Sequence, residues 1–207
     1  TVTYSVGGLI LSNSGTITAN YWLSEIYDDE ISKAHRNADI HIHDLSMLTG
    51  YCAGWSLKQL IQEGLGGIPG KITSAPAKHL VTLCNQMVNF LGIMQNEWAG
   101  AQALSSFDTY LAPFVKTDAL DYEQVKKCIE SFVYGVNTPS RWGTQAPFSN
   151  ITLDWTVPND LAELPAIVGG REMPFKYKDC KPEMDMINKA FIEIMIEGDA
   201  NGRGFQY

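Results

Sequence analysis

Positive charge is scarce in this chain: 15 Lys and Arg stand against 23 Asp and Glu, a formal net charge of −8, and no basic block occurs anywhere. Such a chain does not neutralise a long phosphate backbone, which excludes polymeric nucleic acid as the natural partner. A single nucleotide is not excluded, because one phosphate group needs only a few donors. Cysteine is sparse too. The four thiols, at positions 52, 84, 128 and 180, show no CxxC spacing and fall far below the density of a disulfide scaffold, so free thiols in a reducing cytoplasm are expected. No run reaches the roughly 18 apolar residues of a membrane span, and the first residues lack the charged and apolar regions of a signal peptide. There is no repeat, low-complexity tract or linker, so residues 1–207 read as one stretch of a single domain without internal boundary. The start at Thr1 and the apolar-aromatic end at Gly204-Phe205-Gln206-Tyr207 read as cuts in a longer protein.

What is present is a folded sequence, 45% hydrophobic and 18% charged. Asn20 is a candidate cap for a helix beginning at Tyr21, and Asp28-Asp29-Glu30 suits a second helix start. Asp39 to Asp44 alternates, with Ile40 and Ile42 on one face and His41 and His43 on the other, and predicts a strand. Trp55, Leu57, Leu60 and Ile61 follow as a short helix that ends in the Gly64–Gly70 loop. Leu80, Leu83, Cys84, Met87, Val88, Leu91, Met94 and Trp98 then recur at helical spacing, which predicts a helix of over twenty residues that ends or bends at Gly100-Ala101-Gln102-Ala103. Another helix starts near Asp121 and buries Val125, Ile129, Phe132 and Val136. Phe148–Leu153 alternates as a second strand, 159–170 reads as a connection, and Pro182–Glu197 as a helix closed by Gly198. The chain end points into a third strand. Few strands separated by long helical segments favour parallel pairing. The expected class is helix-rich α/β, a sector of a barrel or a large sheet.

Three groups of residues carry possible chemistry. His41 and His43, two apart on one strand face with Asp44 beyond, have the spacing of a chelate for a divalent cation, although a barrel hydrolase needs further ligands; the alternative is a polar barrel lining. Cys52 stands at a strand-to-helix junction, where parallel sheets build sites. Cys84 and Cys128 lie on apolar helix faces and read as core, while Cys180, among Lys178, Asp179 and Lys181, reads as an exposed loop residue. The amide- and hydroxyl-rich run from Asn137 to Asn150 reads equally as the pinning of a barrel loop and as ligand contact.

Taken in order, His41-Ile-His-Asp-Leu, Tyr51-Cys-Ala-Gly-Trp-Ser-Leu, Ala77-Lys-His-Leu, Asn85-Gln-Met-Val-Asn-Phe-Leu-Gly, Gln95-Asn-Glu-Trp-Ala-Gly-Ala-Gln, Ser105-Ser-Phe-Asp and Arg141-Trp-Gly-Thr-Gln-Ala-Pro-Phe resemble the anaerobic (class III) ribonucleoside-triphosphate reductases. The resemblance implies a glycyl-radical oxidoreductase of DNA-precursor synthesis, working inside a ten-stranded α/β barrel with formate as reductant. It implies Cys52 as the cysteine that helps expel the ribose 2′ hydroxyl, with His41, His43, Gln102, Ser105 and Asn150 toward the substrate. It further implies allosteric control by deoxynucleoside triphosphates at a dimer interface of paired helices, where Lys78, His79, Gln86 and Glu97 of the long helix would contact the effector. An activase that uses an iron–sulfur cluster and S-adenosylmethionine and a cytoplasmic homodimer belong to the same picture. The family's thiyl cysteine, glycyl-radical motif and four-cysteine zinc site lie downstream of the matching motifs, and its ATP-sensing cone lies upstream. The chain is therefore expected to be the N-terminal part of the catalytic barrel, inactive alone and prone to self-association. Two other readings stand beside this one: a metal-dependent barrel hydrolase built on His41 and His43, and a non-catalytic nucleotide-binding dimerisation module.

Overall fold

The computed structural model describes residues 17–205 apart from 49, 67–72, 96, 99 and 139–147. The chain divides into two units, Thr1–Tyr51 and Cys52–Tyr207. In the first, the backbone is helical over 17–21, widens into a π turn at Trp22–Ile26 and resumes as α1, Asp29–Arg36. Asn20 thus lies inside a helix instead of capping one. Asp28 does precede α1, with Asp29 and Glu30 at its electropositive end. The strand expected at 39–44 does not form. Positive φ at Ala38 (65°) and Asp44 (57°) breaks the extended backbone near both ends. The Ile42 N–H goes to His35 Nδ1 at 3.1 Å and not to a neighbouring strand. Alternation predicts a strand only where a ladder partner exists to take up its backbone groups.

The second unit opens with β1, Ala53–Ser56, which runs directly into α2, Leu57–Glu63. Ser56 caps that helix, its Oγ accepting the Lys58 N–H. Next come α3, Leu80–Met94; β2, Gln102–Ser105; α4, Phe107–Asp118; α5, Tyr122–Asn137; and β3, Ser149–Ile151. The remainder is α6, Asn159–Ala162; β4, Pro165–Val168; β5, Arg171–Lys176; a 3-10 turn at Tyr177–Cys180; and α7, Lys181–Glu197. The long helix has 15 residues and not over twenty, because the chain before it is held extended: Ser74 bridges to Leu65, and Ala77 O accepts the Gly169 N–H. α5 begins with a reciprocal capping box between Asp121 and Gln124 and buries Val125, Ile129, Phe132 and Val136, as expected. Gly198 closes α7 at φ 71°.

β1, β2 and β3 form a parallel sheet in that order, as the helical connections require. Two of these strands fall where helix or helix end was expected, at Trp55 and at Gln102-Ala103. The stretch read as a connection holds half of an antiparallel hairpin, β4–β5, turned by Gly169 (φ 61°) and Gly170 (φ 73°). Both turn positions need left-handed backbone, which glycine adopts without a Cβ penalty. Helices α3, α4, α5 and α7 enclose a core of Leu83, Met87, Leu111, Phe114, Ile129, Phe132 and Ile187. α4 is buried along Phe107–Val115, so it is the centre of the unit. Residues 203–205 are irregular, and 206–207, where a third strand was expected, lie outside the described residues. The class is helix-rich mixed α/β, with five strands in two sheets among the described residues. No helix among them is long and apolar enough to cross a membrane.

Candidate functional site

The register of the three parallel strands sorts the site residues. Gly54, Ala103 and Asn150 form one rung; Trp55, Leu104 and Ile151 form the next. Side chains alternate along each strand, so the two rungs face opposite ways. The Trp55 face is covered by helices, which leave a cavity lined by Trp55, Phe90, Met94 and Leu104: Leu104 is buried, and the half-buried Trp55 ring meets Phe90 and Trp98 edge-on. Among the described residues of this unit the Gly54 face is open. Gly54 and Asn150 are exposed, Ala103 and Ser105 are half-buried, and a Cβ built on Gly54 would meet nothing within 4 Å.

Cys52 sits two residues before Gly54 on this open face. It precedes β1, which corrects the junction expected at the strand's far end. The backbone there is already held, since the Ala53 N–H donates to Ala101 O at 3.0 Å and the Ala101 N–H donates to Cys52 Sγ at 3.3 Å. An exposed thiol thus sits on a rigid strand start, with small and polar neighbours above it.

Ser105 and Asn150 share that face with Cys52. Gln102 does not: it is fully buried on the helix side, its Oε1 accepting the Trp55 indole N–H at 2.7 Å, and it ties β2 to β1 there. His41 and His43 belong to the first unit. There the His35, His41 and His43 rings lie 5.7 and 5.8 Å apart, and His43 Nδ1 meets Asp44 Oδ1 at 2.9 Å. Among the described residues no three His, Cys, Asp or Glu side chains are placed to hold a metal ion. Neither the hydrolase site nor the family's zinc has a ligand set in them.

The four residues assigned to an effector are spread along α3. Lys78 and His79 precede its first turn, and Glu97 lies beyond its end, about 22 Å of helix away. His79 Nδ1 lies 2.9 Å from Asp118 Oδ1, and Asp118 Oδ2 accepts the Leu80 N–H at 3.3 Å. Gln86 is buried and donates to Ser74 Oγ and Ala75 O, both at 2.7 Å. Most of the run from Asn137 to Asn150 lies outside the described residues.

Sequence reasoning assigned no role to Asp108. Its carboxylate is fully buried at the start of α4 and accepts four hydrogen bonds: Thr109 N–H (3.0 Å) and Asp154 N–H (2.9 Å) at Oδ1, Trp155 N–H and Asn188 Nδ2 (both 2.9 Å) at Oδ2. It ties the chain leaving β3 to α4 and α7. A lone acidic residue amid Phe107 and Tyr110-Leu111 was the available signal.

The thiols differ in accessibility. Cys84 is buried, and burial with Cys128 nearby pushes its pKa up. Cys180, expected in an exposed loop, is fully buried, its thiol pushed up to about 12 chiefly by burial. Cys128 is half-buried and also raised by burial, with Asp118 adding to it. Thiolates are the reacting form, so at pH 8 a thiol reagent should modify Cys52 in a fast phase, half-buried Cys128 more slowly, and Cys84 and Cys180 only on unfolding. Peptide mapping of the fast phase checks this; early labelling of Cys84 or Cys180 would contradict it.

The fold and site define a helix-rich α/β protein whose parallel sheet is covered on one face and, on the other, presents a thiol among small polar side chains. The chain belongs to the anaerobic ribonucleoside-triphosphate reductase family, whose model matches residues 1–207. Solved structures are similar in fold. The anaerobic ribonucleotide reductase of Thermotoga maritima with citrate in the active site matches with a TM-score of 0.67 at 23% identity, over 98% of this chain and 39% of that one. The same organism's enzyme in complex with dATP and CTP matches with a TM-score of 0.60 at 25% identity, over 89% and 34%. A further anaerobic ribonucleotide reductase gives 0.61 at 26%, over 90% and 33%. The chain thus spans about a third of the length of these relatives. No curated protein sequence matches it.

Proposed function

We propose that this chain is the N-terminal part of the catalytic barrel of an oxidoreductase that converts ribonucleoside triphosphates to deoxyribonucleoside triphosphates, with Cys52 as a catalytic residue. The observation that carries the reading is the family match over residues 1–207, joined to an exposed thiol on an open sheet face. By the resemblance, a glycyl radical elsewhere in the full enzyme supplies the hydrogen abstraction at the ribose, formate is the reductant, and zinc is structural. The residues described here supply none of these. The full enzyme is a cytoplasmic homodimer, activated by an iron–sulfur activase and controlled by deoxynucleotides; the Thermotoga maritima complex with dATP and CTP supports nucleotides as ligands.

Cys52 has the chemistry the step needs. Loss of the 2′ hydroxyl as water requires a proton at the leaving oxygen and then an electron donor; a thiol supplies the proton, the thiolate left behind can supply the electron, and formate, by the resemblance, restores both. A serine hydroxyl gives up neither readily. The helices back the sheet on its Trp55 side, and the other side receives the ribose. In the full-length enzyme under anaerobic conditions, Cys52→Ser should bind ribonucleotide as the wild type does and lose at least about 100-fold in turnover. Deoxynucleotide formation at the wild-type rate would remove Cys52 from the mechanism.

A further inference from the structure

The open face continues beyond Gly54, and its next rung is made of hydroxyls. Ser56 pairs with Ser105 in the β1–β2 register, and Thr152 follows Ile151 one residue past β3, its N–H bonding Leu104 O at 3.0 Å as the ladder runs on. Three adjacent strands thus present three hydroxyls at one level. Their hydrogen bonds differ in sense. Ser56 Oγ accepts the Lys58 N–H at 3.3 Å, and Thr152 Oγ1 accepts the Ser106 N–H at 2.9 Å. Ser105 instead donates to Trp55 O at 3.2 Å. A hydroxyl has one proton and two lone pairs. Ser56 and Thr152 are therefore fixed as acceptors by backbone, and among the described residues their own protons are donated to nothing. Both residues are exposed on the site face.

The level of this rung matters. Ser56 is four positions on from Cys52, about 13 Å along a strand. Between them lie Gly54 and Ala103, which put almost no side chain in the way. That distance is comparable to an extended 5′-triphosphate measured from its ribose. A substrate with its ribose at Cys52 therefore carries its phosphates toward the carboxyl ends of the strands, where parallel sheets place ligands.

We propose that Ser56 and Thr152 are substrate-binding residues that donate hydrogen bonds to the triphosphate, and so fix the direction in which the nucleotide lies across the sheet. This rests on the reductase reading above and adds the polarity of the substrate and two binding residues to it. α4 does not compete for the phosphates: its Phe107 N–H is already taken by Thr152 O at 2.9 Å.

The test uses the full-length enzyme with CTP and GTP as substrates. A hydrogen bond to a charged group is strong enough that the Ser56→Ala, Thr152→Val double variant should raise KM for both nucleotides by roughly 10- to 100-fold, with kcat changed far less. Ser56→Thr and Thr152→Ser keep the hydroxyls and should hold KM near wild type. Because the Ser56→Ala change also removes a helix cap, thermal unfolding is followed in parallel; the conservative pair and the single Thr152→Val variant separate the two effects. An unchanged KM in a folded Thr152→Val enzyme and in the double variant would overturn the inference. So would a fall in kcat alone. Wild-type enzyme that reduces neither nucleotide would instead overturn the reductase reading.

Discussion

Replacing Asp108 with alanine should destabilise the Cys52–Tyr207 unit by about 3–5 kcal/mol, because several donors in and beside the core lose their acceptor together at about 1–3 kcal/mol each. Four donors would lose their acceptor at once, and three of them are backbone N–H groups that cannot turn elsewhere. The effect has a second component. Trp155 is held at φ 61°, an unusual backbone for a residue with a large ring, and its N–H bond to Asp108 is what opposes relaxation. Against a typical domain stability of about 5–15 kcal/mol, the loss is a large fraction of the whole. Urea unfolding gives the measurement. Asp108→Asn keeps one acceptor oxygen and should fall between alanine and wild type; a loss under about 1 kcal/mol for alanine would mean that the carboxylate is not the tie described.

Gly54→Leu should do the opposite: leave the fold intact and stop the chemistry. The Cβ position is open, and Gly54 has none of the positive φ that makes glycine irreplaceable elsewhere in the chain. A leucine there fits a strand at least as well as glycine, so the thermal midpoint of this chain should stay within a few degrees. In the full-length enzyme the same side chain would stand between Cys52 and the hydroxyl rung, on the path assigned to the substrate. Displacing a bound substrate by an ångström or more costs about 100-fold, which sets the minimum expected fall in kcat/KM. Gly54→Ala should give a smaller loss. Full activity in the leucine variant would show that the substrate does not cross this face.

What could be read from the sequence was governed by contrast. α5 and α7 have one wet and one dry side, and their spacing and caps announced them. α4 has no wet side over Phe107–Val115, so no periodicity marks it, and Pro113 reads as a breaker. β1 and β2 read Ala-Gly-Trp-Ser and Gln-Ala-Leu-Ser, without a β-branched residue between them. They are strands because each finds parallel partners, not because of local preference. The open face needs those small residues, so the composition that makes the site also hid the strands that carry it. The Ile40–Asp44 run shows the converse, an alternating pattern with no ladder to join. Gly169-Gly170 was a legible hairpin turn that the reading of 159–170 as a connection passed over. Cys52, Ser105 and Asn150 were named from motifs and do share a face. Gln102 was named the same way and points to the other side, because only the strand register decides facing.

The rungs that set this facing join residues far apart along the chain. Ala53 pairs with Gln102 across 49 positions, and Gln102 with Ser149 across 47. Closing a loop of that length carries an entropy cost whose length-dependent part is about 3–4 kcal/mol at room temperature. Ladders of three or four rungs, at a net ~1 kcal/mol per bond, do no more than balance it. The net gain on ordering this sheet therefore comes from the helical layer packed on it. Cys52, just ahead of the first strand, therefore owes its place to packing that lies elsewhere in the unit.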